Sequence, residues 1–483
     1  MDKNYDVIIA GAGAAGLYTA LNLPEKAKIL LIAKRELILC NSALAQGGIA
    51  AVYRPENDTV QLHTNDTLIA GGFKNNPDSV NLLVTGAACE IQTLLDIGVD
   101  FDKCPDGSFD RTLEGGHSRR RIFHHKDSTG FEITSKLQQE ILKHENITVM
   151  DNTMLGRIRK TDKGFSTELV INNKDHITCH SRFLVLATGG IGRIYERTTN
   201  SAIATGDGIA AAYELGAQIK HLSYIQFHPT AFADKETREC FLISESVRGE
   251  GAYLLNDRAE RFMRDYDERM ELAPRDVVSH AIITESRRRG SDEFYLDITY
   301  KPADYIRERF PMIYKNLLEH GIDMTKDKIP VFPCQHYLMG GINVNTNSET
   351  TVKGLYAAGE CSHTGVHGNN RLASNSLLEA LVFGHRAAMN IAEKLDGTFE
   401  YDDFEFAPPE NAVPVPSGIR TEVRRIMQRS YFVIPDMQEA VSGFQRVCEL
   451  KQMLETGSFV IDRDFIEAKA ITQCAYLILK EVI

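Results

Sequence analysis

The sequence predicts an α/β protein, with a parallel-sheet domain split by an inserted α+β domain and followed by a C-terminal helical bundle. Three observations carry this. A short apolar run at 7–10 leads into a glycine-rich turn and then a helical stretch at 17–23. The same strand–glycine rhythm returns at 183–190 and again at 354–360. Between them, from about 222 to 337, the rhythm stops and charges become dense, and residues 418–483 carry helical periodicity instead.

Val7 to Ala10 has the length and β-branched content of a buried parallel strand. Gly11, Gly13 and Gly16 follow with G-x-G-x-x-G spacing, interleaved with Ala12, Ala14 and Ala15. Gly11 permits the tight turn, Gly13 lets a pyrophosphate approach the backbone, and Gly16 lets the helix pack close to the strand. The helix start offers free N–H groups and a positive dipole end to phosphates. With a strand before it and a helix after it, this turn reads as the opening of a Rossmann-type dinucleotide-binding unit. Residues 7–23 are uncharged and could pass for a membrane span. Three glycines in six residues and Pro24 argue instead for strand, turn and helix.

Lys28 to Ala33 reads as the second parallel strand. A nicotinamide-type unit often ends this strand with an acid for the ribose. Lys34 stands there instead, which counts against a simple NAD site. In the run Asn41, Ser42, Ala43, Leu44, Ala45, Gln46, Gly47, Gly48, the paired glycines suit backbone lying against a flat ring. Val60–Ala70 and Asp78–Ile97 read as helices, and Phe183–Leu186 as another buried strand. Thr205–Gly208 starts an alanine-rich helix, Ile209–Leu215, with Asp207 at a position where a carboxylate is also favoured as a plain cap. Arg258–Glu271 and Ser286–Asp292, inside the charge-dense stretch, look exposed. Asn375 and Ser376 are expected to cap a long helix, Leu377–Leu395. Pro408, Pro409, Pro414 and Pro416 mark a linker. The expected organisation is a first part of the dinucleotide domain at 1–221, an inserted domain at 222–337, the second part at 338–407, and a helical unit at 408–483.

The bulk numbers narrow the class. A chain of 483 residues, 43% hydrophobic and 25% charged, is ordinary for a globular protein of several domains. A net charge of −12 argues against nucleic-acid and anionic-membrane partners, so a small anionic substrate would need a local cationic pocket. Nine cysteines without a C-x-x-C pair suit a reducing cytoplasm rather than a disulfide framework. No signal peptide is expected, since the first strand begins almost at once. Cys361, His363 and His367 loosely resemble metal ligands, but their Gly-rich setting reads as loop, and no metal is expected.

An ordered set of motifs now stands along the chain: Gly11–Gly16, Ala45–Gly48, Ala187–Gly190, His228-Pro-Thr230, Arg248–Gly251, Pro274-Arg-Asp276, His336-Tyr with Met339–Gly341, Gly354–Glu360 and Asn370–Ser376. Together they resemble the family of succinate dehydrogenase and fumarate reductase flavoproteins and L-aspartate oxidases, over residues 5–395. The resemblance implies FAD in the split domain and a capping domain that closes a dicarboxylate pocket against it. It implies FAD contacts from Gly11, Ala12, Gly13, Ala14, Ala15, Gly16, Lys34, Asn41, Ser42, Ala43, Ala45, Gln46, Gly47, Gly48, Asp207, Glu360, Ser376 and Leu377. Succinate dehydrogenase-type members carry a flavin-bonded histidine where this chain has Asn41, so the FAD is expected to be noncovalent.

A C4 dicarboxylate carries two charges that cannot be buried unpaired. The motifs supply His228, His336, Arg275 and Arg371 as donors, with Ser244 as a hydroxyl, and an arginine fork suits a carboxylate. Glu114, in Leu113–Arg119, resembles a carboxylate that L-aspartate oxidases have and succinate-type members lack. It would repel succinate, and could pair with the α-ammonium of aspartate or accept its proton. The bland alternative is an ion pair with the arginines at 119–121. Ala231 after Thr230, Ala-Pro before Arg275 and Asn370 before Arg371 also look aspartate-oxidase-like. The resemblance implies hydride transfer from Cα of L-aspartate to the flavin N5, giving iminoaspartate, with reoxidation by oxygen or fumarate. Glu114 and Arg275 are the candidate catalytic residues, Arg275 by likeness to a proton donor. Quinolinate synthase, next in NAD synthesis, is the implied protein partner. Cys334-Gln before His336, where small residues are common, and a short C-terminal unit depart from the pattern. Two rivals remain: a fumarate reductase or succinate dehydrogenase flavoprotein subunit, and a catalytically silent FAD-binding partner protein.

Overall fold

The computed structural model describes residues 2–54, 57–234, 237–397 and 399–483. Among these, the largest sheet has seven strands. Its parallel part runs Ile147–Met150, Ile29–Ile32, Asn4–Ala10, Asp175–Leu186, Leu355–Ala357. Ile29–Ile32 is buried throughout, as expected of a strand covered on both faces. The last of these strands comes from far downstream: Leu355 pairs with Leu184 and Ala357 with Leu186. The parallel sheet is therefore completed only after the chain has returned from the inserted segment.

Asp175–Leu186 does double duty. Its C-terminal end lies between Asn4–Ala10 and Leu355–Ala357, while its first half pairs antiparallel with Gly164–Ile171, which pairs in turn with Thr153–Thr161. This antiparallel ribbon is an addition to the expected fold. Its hairpin signals are local, with Gly164 at φ 82° and Asn172 and Asn173 also in the left-handed region.

The inserted segment has its own antiparallel sheet, in the order Ile225–Phe232, Ile329–Leu338, Tyr295–Asp297, Tyr253–Leu255. Helix Arg275–Arg289 packs beneath it, and Phe232, Leu254, Val278, Ile282, Phe294 and Val331 belong to a core separate from that of the large sheet. Helices Ile419–Ser430, Met437–Thr456 and Arg463–Val482 follow the proline-rich stretch. Their apolar faces merge with Ile191, Tyr195, Ile209 and Ala212 of the sheet domain rather than closing on themselves.

Two expected caps are absent, for a visible reason. Helix Asp207–Glu214 has Gly206 at its N-cap, and the Asp207 carboxylate accepts from Lys34 and Thr205 instead of its own backbone. The long helix spans Asn375–Lys394, so Asn375 and Ser376 lie inside it. The Asn375 carboxamide reaches His63 and Thr67, and the Ser376 hydroxyl accepts from Arg371. The arginine-rich stretch 258–271 is also less exposed than expected, because Glu271 is buried and holds Arg261 and the Leu254 amide.

Candidate active site

One cavity of about 570 Å³ lies between the first helix, the 41–48 loop, the inserted sheet and the start of helix Asn375–Lys394. Every sequence-derived site residue lines it except Gly16. Gly16 acts in packing: a Cβ there would lie 1.8 Å from the Gly11 carbonyl oxygen. Gly11, at φ 114°, is likewise bound to glycine, because its Cβ would sit 2.1 Å from the Ala187 carbonyl.

The first helix, Ala14–Asn22, has no acidic residue in its first turn and no side-chain cap from Gly13. Ser42 takes up the Ala14 N–H at 3.1 Å. Ala14 and Ala15 of this first turn line the cavity beside the 41–48 loop, where a helix start offers its remaining N–H groups. Gln46 Oε1 is buried there with no partner among the described residues. Asn41 Oδ1 accepts from the Ser201 amide at 2.9 Å. Glu360 is half-buried, accepts from the Leu338 amide at 3.0 Å, and is pushed up to about 7 by desolvation. At the other end Lys34 is clasped by Asp207 at 2.8 Å and Glu467 at 2.9 Å. A phosphate-bearing, ring-bearing dinucleotide fits this donor set.

The cationic groups converge where the inserted sheet meets the long helix. His228 is fully buried, and its Nδ1 accepts from the Thr230 amide at 3.2 Å. The proton must then sit on Nε2, which has no partner among the described residues and faces the cavity. His336 lies edge-on to it with ring centres 5.0 Å apart, and its Nδ1 bonds the Thr199 hydroxyl at 2.7 Å. Burial, and then the Arg275 charge, holds both imidazoles well below the usual histidine range, so they are neutral donors.

Arg371 donates to Ser376 at 3.0 Å and lies over the Tyr337 ring, 4.4 Å from its centre. Burial, reinforced by Arg275, lowers it to about 10. Arg275 opens helix Arg275–Arg289 and donates to Glu245 at 2.5 Å and Gln226 at 2.9 Å. Gln226 donates in turn to Asn370 Oδ1 and the Arg371 carbonyl, both at 2.9 Å, which locks the two arginine segments together. Ser244 caps the short helix Glu245–Gly249, accepting from the Ser246 amide and hydroxyl, so its own proton remains to donate.

Glu114 is 4% exposed and accepts from the Ser374 hydroxyl at 2.6 Å. Arg121 is spent on Asp58 and Asp66, Arg119 on the Asn57 and Ser118 carbonyls, and Arg120 on that of Arg111, so the bland ion pair does not form. Burial, and then the charge of Glu245, hold Glu114 above the usual carboxylate range, while Ser374, Arg275 and Arg371 pull it down. Glu245 itself, despite its burial, is held low by Arg275 and Arg248.

Sequence reasoning missed Glu245, Gln226, Tyr337 and Ser374 as parts of this site. Glu245 sits next to the chosen Ser244, and Tyr337 and Ser374 lie inside quoted motifs, so proximity was the available signal. The cysteine–histidine trio points elsewhere: Cys361 to the Leu186 carbonyl, His363 to the Met339 carbonyl and His367 to Glu379.

A two-part sheet domain with a dinucleotide cradle, capped over a cationic pocket, defines a flavin-dependent oxidoreductase. The FAD binding domain family matches residues 6–377. L-aspartate oxidase from Clostridium acetobutylicum is 47% identical over 392 residues, 81% of this chain and 88% of that protein. The Acinetobacter baylyi L-aspartate oxidase is 39% identical over 99% of this chain and 90% of its own length. Among solved structures, E. coli quinol fumarate reductase FrdA superposes with a TM-score of 0.90 at 29% identity, covering 99% of this chain and 89% of that one. The chain belongs to the L-aspartate oxidases, within the succinate dehydrogenase and fumarate reductase flavoprotein family, and its cofactor is FAD.

Proposed function

We propose that this chain oxidises L-aspartate to iminoaspartate, with its two carboxylates held by Arg371, His228, His336 and Ser244 and its amino group held by Glu114. The observation that carries this is a carboxylate, Glu114, buried in the same cavity as two arginines and two neutral histidines. Succinate offers such a carboxylate no cation, and an amino acid does.

Gly11, Gly13, Ala14 and Ala15 would hold the pyrophosphate of FAD, the 41–48 loop, Ser376 and Leu377 the ring, and Lys34, Asp207 and Glu360 the sugars. The chemistry that FAD supplies when bound is acceptance of the hydride from Cα. The rest is positioning and charge. Glu114 draws the ammonium into register or takes its proton, while Arg371 and the histidines clamp the carboxylates and exclude water. Arg275 borders the site with its charge balanced by Glu245, which supports a role in proton delivery when the acceptor is fumarate. Asn41 offers no nucleophilic nitrogen to a flavin, which supports noncovalent binding. Oxygen or fumarate completes the cycle, and the labile imine product supports quinolinate synthase as the next partner.

The separate sheet and core at 225–338 support the capping-domain division at 222–337, with 1–221 and 338–407 forming the FAD-binding domain and 408–483 the helical domain. No described helix is long and apolar enough to cross a membrane. We place the protein in the cytoplasm.

The test is anaerobic. L-aspartate should bleach the yellow protein and succinate should not, whereas bleaching by succinate alone would sink the reading. Acid precipitation should leave the flavin in solution, and a yellow pellet would overturn noncovalent binding.

A further inference from the structure

Ser374 stands where the backbone favours glycine. Its φ is 61°, in the left-handed region, which is strained for a residue bearing a side chain. Its carbonyl accepts from the Ala50 amide at 3.0 Å, so this conformation is pinned. Serine at the N-cap of helix Asn375–Lys394 would normally turn its hydroxyl onto the helix amides, yet it makes no such bond. The hydroxyl donates instead to Glu114 Oε2 at 2.6 Å. The other oxygen, Oε1, lies against Gly47, where a Cβ would come within 2.6 Å of it. Strain at a residue whose side chain serves another group points to a functional constraint.

We propose that Ser374 is a positioning residue for substrate choice: it holds one oxygen of Glu114 so that the other faces the amino group of the substrate. The proposal rests on the reading of Glu114 as the amine-binding group. A hydroxyl donating to a carboxylate also favours its charged form, the form an ammonium pairs with. The charged groups facing Glu114 from packed elements are Glu245 and Arg248 on helix Glu245–Gly249, Arg275 on helix Arg275–Arg289, and Arg371. On its own loop, His117 is turned to the Ala373 carbonyl and Arg121. Glu245 opposes the charge on Glu114 and the arginines favour it; Ser374 alone donates a hydrogen bond to it among the described residues.

Ser374→Gly removes the hydroxyl and eases the backbone, and Ser374→Ala removes it if glycine loosens the loop. With FAD-loaded enzyme, kcat/KM for L-aspartate should fall about tenfold in both variants, the scale of one charge-assisted hydrogen bond. The acid limb of its pH profile should move to higher pH, because ionised Glu114 has lost a donor. Fumarate reduction by chemically reduced enzyme should change less than about twofold. In a Glu114→Gln background, Ser374→Gly should add nothing further. Equal losses for aspartate and fumarate, additive losses in the double variant, or unchanged aspartate kinetics in both single variants would overturn it. Wild-type enzyme that L-aspartate fails to reduce would overturn the Glu114 reading itself.

Discussion

Lys34 and Glu467 form an ion pair of 2.9 Å that ties the C-terminal helix to the end of the second parallel strand. Lys34 occupies the position where a nicotinamide-type unit would carry an acid, and it is neutralised twice, by Asp207 and by Glu467. Glu467 also pairs with Arg420 of the neighbouring helix. The C-terminal unit, distant from the hydride-transfer residues, thus reaches the rim of the cofactor cavity through one carboxylate.

Glu467→Gln keeps the shape and removes the charge. It leaves Lys34 with Asp207 as its carboxylate partner beside the Thr205 hydroxyl, and Arg420 with Asp464, and should destabilise the protein by about 1–3 kcal/mol. Denaturant midpoints at matched FAD concentration check this. Unchanged stability would mean that Lys34 and Arg420 are satisfied without it.

Gly11→Ala tests the cradle. Its Cβ would meet the Ala187 carbonyl oxygen at 2.1 Å, just past strand Asp175–Leu186 and pinned by the Ala187 amide on Ala10, and φ 114° strains any side chain. The variant should purify colourless or aggregate. Gly13→Ala, whose Cβ would meet only Ser42 Oγ at 3.3 Å, should fold normally and lose FAD affinity selectively. Equal behaviour of the two would contradict this division of labour.

What the sequence revealed and what it hid follow one physical rule. Val7–Ala10, the glycine turn and Gly354–Glu360 were legible because strand length, glycine spacing and apolar runs are local. The ribbon from Thr153 to Ile171 escaped because its strands are mixed in character and Thr153–Thr161 is half-exposed. Gln226 escaped for a different reason: its meaning lies in a bond to Asn370, 144 residues away, and no local pattern marks a polar residue whose partners converge only in the fold.

Stability should fall on acidification before any depressed carboxylate titrates. His117 and His63 are buried and neutral; burial, first among the causes, holds them at about 4 and about 3. A histidine depressed in the fold titrates near 6.5 when unfolded, so its stabilising effect is complete above about 6.5 and is lost as pH falls toward the folded value. His385, raised by Glu90, and Glu360 and Glu114, raised by burial, work in the opposite sense but are outnumbered by the depressed histidines, His228 and His336 included. The melting temperature should therefore drop between about pH 6.5 and 5, above the range where depressed carboxylates contribute. His117→Gln should flatten that drop. A profile as steep as wild type would remove His117 from the account.

Glu114→Gln addresses the choice of substrate directly. The amide keeps the volume in a site that is 4% exposed and can still accept from Ser374, but it presents no charge to an ammonium. The kcat/KM for L-aspartate should fall about ten- to a hundredfold, the range for removing a charge-assisted hydrogen bond from a water-poor pocket. Fumarate has no amino group, and removing an anion from beside Arg275 and Arg371 lessens its repulsion. Fumarate reduction should therefore hold or rise, and succinate should become a better reductant of the flavin than in the wild type. Parallel losses for aspartate and fumarate, measured with the same FAD-saturated preparation, would mean that Glu114 supports the pocket as a whole and does not read the amine.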